Sequence, residues 1–126
     1  MLKKVAAMIV MGHGLIHLMG FLVQFQIAEI EGLSYSNTVL SGRLTIGASG
    51  AQVLGALWLL AALVLLAAAA GMFIDAAWDR RVLLGAALFS LPVTILGWPD
   101  SQFGVLVNIL ILGALFFIRR VEKDAG

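Results

Sequence analysis

Between Lys4 and Glu29 the chain carries no lysine, arginine, aspartate or glutamate. The apolar run inside that gap, about Val5 to Ile27, is long enough to cross a bilayer, which takes ~20 such residues. Three more apolar segments follow, at about 50–72, 82–98 and 103–119. The last two sit near the lower limit of ~17 residues for a crossing. Gly97-Trp98-Pro99-Asp100-Ser101 separates them. Pro99 lacks a backbone donor and restricts Trp98, so the third and fourth helices are expected to form a tight antiparallel hairpin. The fold class that results is an all-α membrane protein. It is a single four-transmembrane-helix bundle over residues 1–126, with a short outer loop or β-hairpin between helices one and two.

Composition agrees. Of 126 residues, 62% are hydrophobic and 12% charged, a balance that would precipitate a soluble domain. The net charge of +1 is not gathered into a basic patch, so no nucleic-acid partner is expected. The absence of cysteine removes disulfides, thiolate metal sites and thiol nucleophiles. Lys3 and Lys4 ahead of an apolar run resemble a secretory signal, but the run exceeds an h-region of ~7–15 residues. It is expected to stay as the first span.

Orientation follows from the basic residues. With four crossings, Lys3, Lys4, Arg80, Arg81, Arg119, Arg120 and Lys123 fall on one side and only Arg43 on the other. The positive-inside rule then puts both termini in the cytoplasm of a multi-pass protein of the cell (inner or plasma) membrane. Trp78 and Trp98 fall at opposite interfaces. The arginine pairs suit anionic-lipid contact, at ~1 kcal/mol per basic residue. In the outer connection, roughly 28–49, two β-prone runs flank Ser41-Gly42, which predicts a small hairpin with positive φ at Gly42. Ser49 is a candidate N-cap for helix two.

On a helix of 3.6 residues per turn, His13, His17, Gly20 and Gln24 form one stripe, while Met8, Met11, Leu15, Leu18 and Leu22 face away. Helix two aligns Ala51, Gly55, Ala62 and Ala69, a spacing that permits close backbone approach. Helix three aligns Ala86, Ser90, Thr94 and Gly97, and helix four aligns Gly104 with Asn108. By depth, Gln24, Gln52, Thr94 and Asn108 fall in the outer half, His17 near the midplane and His13 deeper. The expectation is a polar pocket open to the outside and floored by the histidines. Its candidate ligand-binding residues are His13, His17, Gln24, Gln52, Ser90, Thr94 and Asn108, with Arg43 and Asp100 paired over the mouth.

His13-Gly14-Leu15-Ile16-His17-Leu18-Met19-Gly20-Phe21, Gly55 to Ala62, and Gly97-Trp98-Pro99-Asp100 with Phe103-Gly104 and Asn108 resemble a family of small four-helix prokaryotic membrane proteins. The layout is loosely similar to DoxX-like proteins, and members often carry a transporter-permease label. The resemblance implies a fold and a location, and no established activity.

Two imidazoles at i and i+4 can share a metal ion. Here Gly14, Leu15 and Ile16 lie between them, without the glutamate of zinc-helix motifs. A haem would need a ligand from a second subunit. The structural alternative is that His13 and His17 hydrogen-bond to Ser90, Thr94 or Asn108 and hold the bundle, at ~0.6 kcal/mol per bond. Asp100, just before helix four, suits an N-cap. No phosphate loop, serine triad or facing carboxylate pair is present, so the chain lacks the parts of an enzyme, and no cofactor is required. Three functions stay open. They are an accessory or structural subunit packing with itself or a larger membrane complex, binding or transport of a lipid, quinone or small solute, and a metal or haem site on His13 and His17.

Overall fold

A computed structural model describes all residues from 1 to 126. Four helices hold most of the chain: α1 (Leu2–Gln24), α2 (Gly47–Phe73), α3 (Asp79–Leu96) and α4 (Gln102–Ala125). Strands β1 (Thr38–Val39) and β2 (Leu44–Thr45) lie in the α1–α2 connection. Helices α1, α2 and α4 are long and apolar enough to cross a membrane, which makes this a multi-pass membrane protein by length and composition. Helix α3 is the exception. Its 18 residues open on Asp79-Arg80-Arg81, which shortens its apolar part.

Each helix packs on the next, so the chain runs up, down, up and down. Ion pairs gather the termini at one end. Lys3 Nζ lies 2.9 Å from Asp75 Oδ1 and 2.6 Å from Asp79 Oδ2, while Arg80 Nη1 meets Glu122 Oε1 at 2.6 Å. Asp79 Oδ2 is buried and has Lys3 as an ion contact at an angle unsuited to a hydrogen bond. At the other end the hairpin is tied to the α3–α4 turn. The Leu40 amide donates to the Leu96 carbonyl and the Ser41 amide to that of Trp98, both at 3.0 Å.

The hairpin pairs Thr38 with Thr45 and Val39 with Leu44. Its turn closes with the Arg43 amide donating to the Leu40 carbonyl, and both central residues, Ser41 (φ 58) and Gly42 (φ 79), are left-handed. That is the signature of a type I′ turn. Leu40 is left-handed as well (φ 54), an unfavourable setting for a branched side chain. Its amide bond to α3 offsets the strain.

Two helix starts differ from expectation. Ser49 does not cap α2, which opens at Gly47 after Ile46 because the Asn37 carbonyl takes both their amides, at 2.8 and 3.1 Å. Asp100 does not cap α4. Ser101 occupies that position, and its hydroxyl turns back onto the Thr94 carbonyl rather than onto α4 amides.

The interior has three storeys. At the end holding the termini, Ala7, Val10, Leu65, Ala68, Ala69, Met72, Leu83, Ala86 and Leu115 form an apolar cluster. At the loop end, Val39, Leu54, Trp58 and Val93 form a smaller one. Between them sit the buried polar side chains. The small residues set how near the helices come. A Cβ on Gly14 would lie 3.2 Å from Leu65 Cβ, and one on Gly20 3.0 Å from the Trp58 indole. Met8, Met11 and Leu15 are exposed, as an outward oily face requires.

Candidate functional site

The polar storey is a hydrogen-bonded ring drawn from three helices. His17 and Asn108 are fully buried, as are Ser90 and Thr94, and His13 nearly so. His17 Nδ1 lies 3.0 Å from the His13 carbonyl oxygen, and His17 Nε2 lies 2.6 Å from Ser90 Oγ. Asn108 Nδ2 reaches Ser90 Oγ at 2.9 Å and Thr94 Oγ1 at 3.3 Å. Asn108 Oδ1 lies 3.1 Å from His13 Nε2.

With both rings neutral, the direction of every bond is fixed by one atom. A backbone carbonyl only accepts, so His17 carries its proton on Nδ1. Nε2 is then an acceptor, and the Ser90 hydroxyl must donate to it. Ser90 Oγ has no second proton, so the Asn108 amide donates to it. Asn108 Oδ1 is left to accept from His13 Nε2–H. Thr94 shares its one hydroxyl proton between the backbone carbonyls of Ser90 and Leu91, at 3.1 and 2.8 Å, and so accepts from Asn108. The ring closes with no buried donor wasted, and His13 Nδ1 alone stands outside it. Reversing Asn108 would set a lone pair of His17 against the His13 carbonyl, which excludes that arrangement.

Helix geometry explains the placement. His13 and His17 are one turn apart on α1, their rings edge to face with centroids 4.5 Å apart. Trp58 of α2 lies against the His17 ring at 4.8 Å between centroids, a position open to it because Gly20 has no side chain beneath the indole. Ser90 and Thr94 are one turn apart on α3. Asn108 is one of only two side chains that α4 buries, with Leu115.

Above this ring lies a cavity of about 350 Å³, within the range of small-molecule sites. His13 and His17 line its floor, Trp58, Leu54 and Leu96 form apolar wall, and Ser36, Thr38 and Gly42 of the hairpin region border the loop end. Ile16 of α1 and Phe103 and Val107 of α4 also line it. Ile16 (55%) and Phe103 (73%) are strongly exposed, so the rim of the cavity reaches the outer surface between α1 and α4.

Gln24 serves a role that residue type alone did not disclose. Its side-chain amide donates to the Ser36 carbonyl (3.2 Å) and accepts from the Ser36 amide (3.1 Å), as a partner strand would. It thereby fastens the loop over the cavity, which it also lines. Gln52 does not belong to the site. It is exposed, one step round α2 from buried Ala51. Arg43 and Asp100 form no ion pair; Asp100 borders the cavity, and exposed Arg43 is not among its lining residues. As metal ligands, His13 and His17 fit poorly. Both Nε2 atoms are committed to Asn108 and Ser90, and no third His, Cys, Asp or Glu joins them.

Comparison with protein-family models, with curated proteins and with solved structures gave no match to this chain.

Proposed function

We propose that this protein is a membrane-embedded binding protein that holds a small amphipathic molecule, of lipid or quinone-like character, in the cavity between α1 and α4. One observation carries the reading. A space of about 350 Å³ opens beside lipid-facing side chains and ends on a polar floor in which only His13 Nδ1 lacks a partner. Apolar walls with a few fixed polar groups are the usual make-up of a small-molecule site. The chain crosses the membrane four times with both termini cytoplasmic. The gathering of basic residues at the terminal end supports this, and the 18 residues of α3 span roughly 27 Å against a hydrocarbon core of ~30 Å. Native mass spectrometry of the protein released from its own membranes tests the reading. A retained small molecule that is lost from Val107→Phe, which fills the cavity, is the expected result. Identical spectra for the two proteins count against it.

A second reading rests on α4. Outside Asn108 and Leu115 no side chain of the helix is fully buried, and Leu110, Phe116 and Phe117 are exposed. A lipid-facing helix and a helix seated on a larger complex or a second copy look alike in this respect. The accessory-subunit role therefore stands beside the binding role. The chain has no cysteine, so Leu110→Cys and Phe117→Cys offer clean crosslinking sites. A defined crosslinked species in native membranes supports a partner on this face.

A further inference from the structure

The ring of hydrogen bonds says more about the occupant of the cavity than its size does. Each proton in the ring is assigned by the His13 carbonyl at its end, and the chain of assignments stops at His13. With its proton on Nε2, His13 keeps a bare lone pair on Nδ1. That nitrogen makes no hydrogen bond within the protein, and its ring lines the cavity. The other polar atoms of the floor already have partners. His17 uses both nitrogens, and Ser90 Oγ donates once and accepts once. No lysine or arginine lines the cavity.

We infer that the cavity selects an amphiphile whose head donates a hydrogen bond, an alcohol or phenol, which places its O–H on His13 Nδ1. The inference rests on the binding role proposed above and names the ligand class of that same site. Acceptor-only heads fit badly. A carboxylate or phosphate would meet a lone pair and find no cation, and an ether or a quinone carbonyl would leave His13 Nδ1 without a partner. The apolar remainder of the molecule lies along Trp58 and Leu54 and leaves between Ile16 and Phe103 toward the acyl chains.

The test uses the intact protein in lipid nanodiscs and two probes of equal apolar bulk, a dodecanol brominated at its sixth carbon, so that the bromine stays within the cavity when the head is bound, and the methyl ether of the same compound. Bromine quenches the indoles of Trp58 and Trp98, which line the cavity, and spares Trp78 at the far end. The alcohol should bind about tenfold more tightly than the ether, the loss expected when a buried acceptor is left bare. Equal affinities, or a preference for the ether, overturn the donor assignment while leaving the cavity a binding site. Quenching by neither probe ends the binding role, and the inference with it. Imidazole-nitrogen NMR of the labelled protein examines the assignment without any ligand. His13 should show a protonated Nε2 and a bare Nδ1, and His17 the opposite tautomer. A proton on His13 Nδ1 overturns the inference.

Discussion

His17 donates from Nδ1 to the backbone carbonyl of His13, 3.0 Å away and one turn back on the same helix. Because that carbonyl can only accept, this short local bond sets the donor and acceptor roles of four side chains, His17, Ser90, Asn108 and His13, on three helices. A residue pair that reads in sequence as a possible metal clamp is in the fold the starting point of a directed hydrogen-bond ring. Both Nε2 atoms are already occupied.

Ser90 is the member whose loss the ring should feel most. Ser90→Ala removes the donor to His17 Nε2 and an acceptor from Asn108, leaving two buried groups short of a partner. Bonds between membrane helices average about 0.6 kcal/mol and reach ~1.7. A loss of about 1–2 kcal/mol is expected, read from reversible unfolding in mixed micelles. Thr94→Val forfeits one long contact from Asn108 and one proton shared between two backbone carbonyls, and should cost about half as much.

Gln24 should matter to the loop and not to the bundle. Gln24→Leu keeps the bulk of the side chain and removes both bonds to Ser36. Amide exchange at Ser36 and through residues 28–36 should accelerate, while exchange in α2 stays unchanged. Equal acceleration throughout would mean that Gln24 supports the helices themselves.

Glycine substitutions should separate packing from propensity. Gly20→Ala sets a Cβ 3.0 Å from the Trp58 ring, and overpacking of this kind costs about 1–3 kcal/mol. A shift in Trp58 emission should accompany the loss of stability. Gly12→Ala, on the same helix with nothing within 4 Å, should be neutral or favourable.

The terminal ion cluster gives a pH dependence. The Lys3 ammonium beside Asp75 holds its carboxyl below the ordinary value of 3.8. Stabilisation from a depressed carboxyl is complete above that ordinary value and is lost as pH falls through the lowered one. Both partners are exposed, so salt should weaken the effect. Protection of the amides at the start of α1, taken relative to intrinsic exchange at each pH, should therefore fall in acid, and Asp75→Asn should show the lowered protection at neutral pH already.

Much of this architecture is written in the periodicity of the chain. The stripe of His13, His17, Gly20 and Gln24 follows from helical spacing, and so do the small faces of α2 and α3. The Ser41-Gly42 turn was legible because a left-handed pair between β-prone runs leaves few alternatives. What escaped depended on direction or on tertiary partners. Gln52 shares the depth of the site, but depth says nothing about azimuth, and one residue step on a helix turns a side chain by 100°. Ser49 and Asp100 have the right chemistry for caps. The helices instead begin where a hairpin hands over its strand and where Ser101 faces Thr94. Nor could periodicity announce that Lys3 would reach Asp79, 76 positions away, since charge pairing across the ends of helices depends on how they stack.

The apolar cluster beneath His13 has a consequence for where the interior can be wet. From Val10 and Leu65 down to Met72 and Leu83 it contains no group that could pass on a proton or shed an ion's water shell. Water that entered the cavity would find no hydrogen-bond partner in that cluster, so the polar part of the interior ends at the histidines.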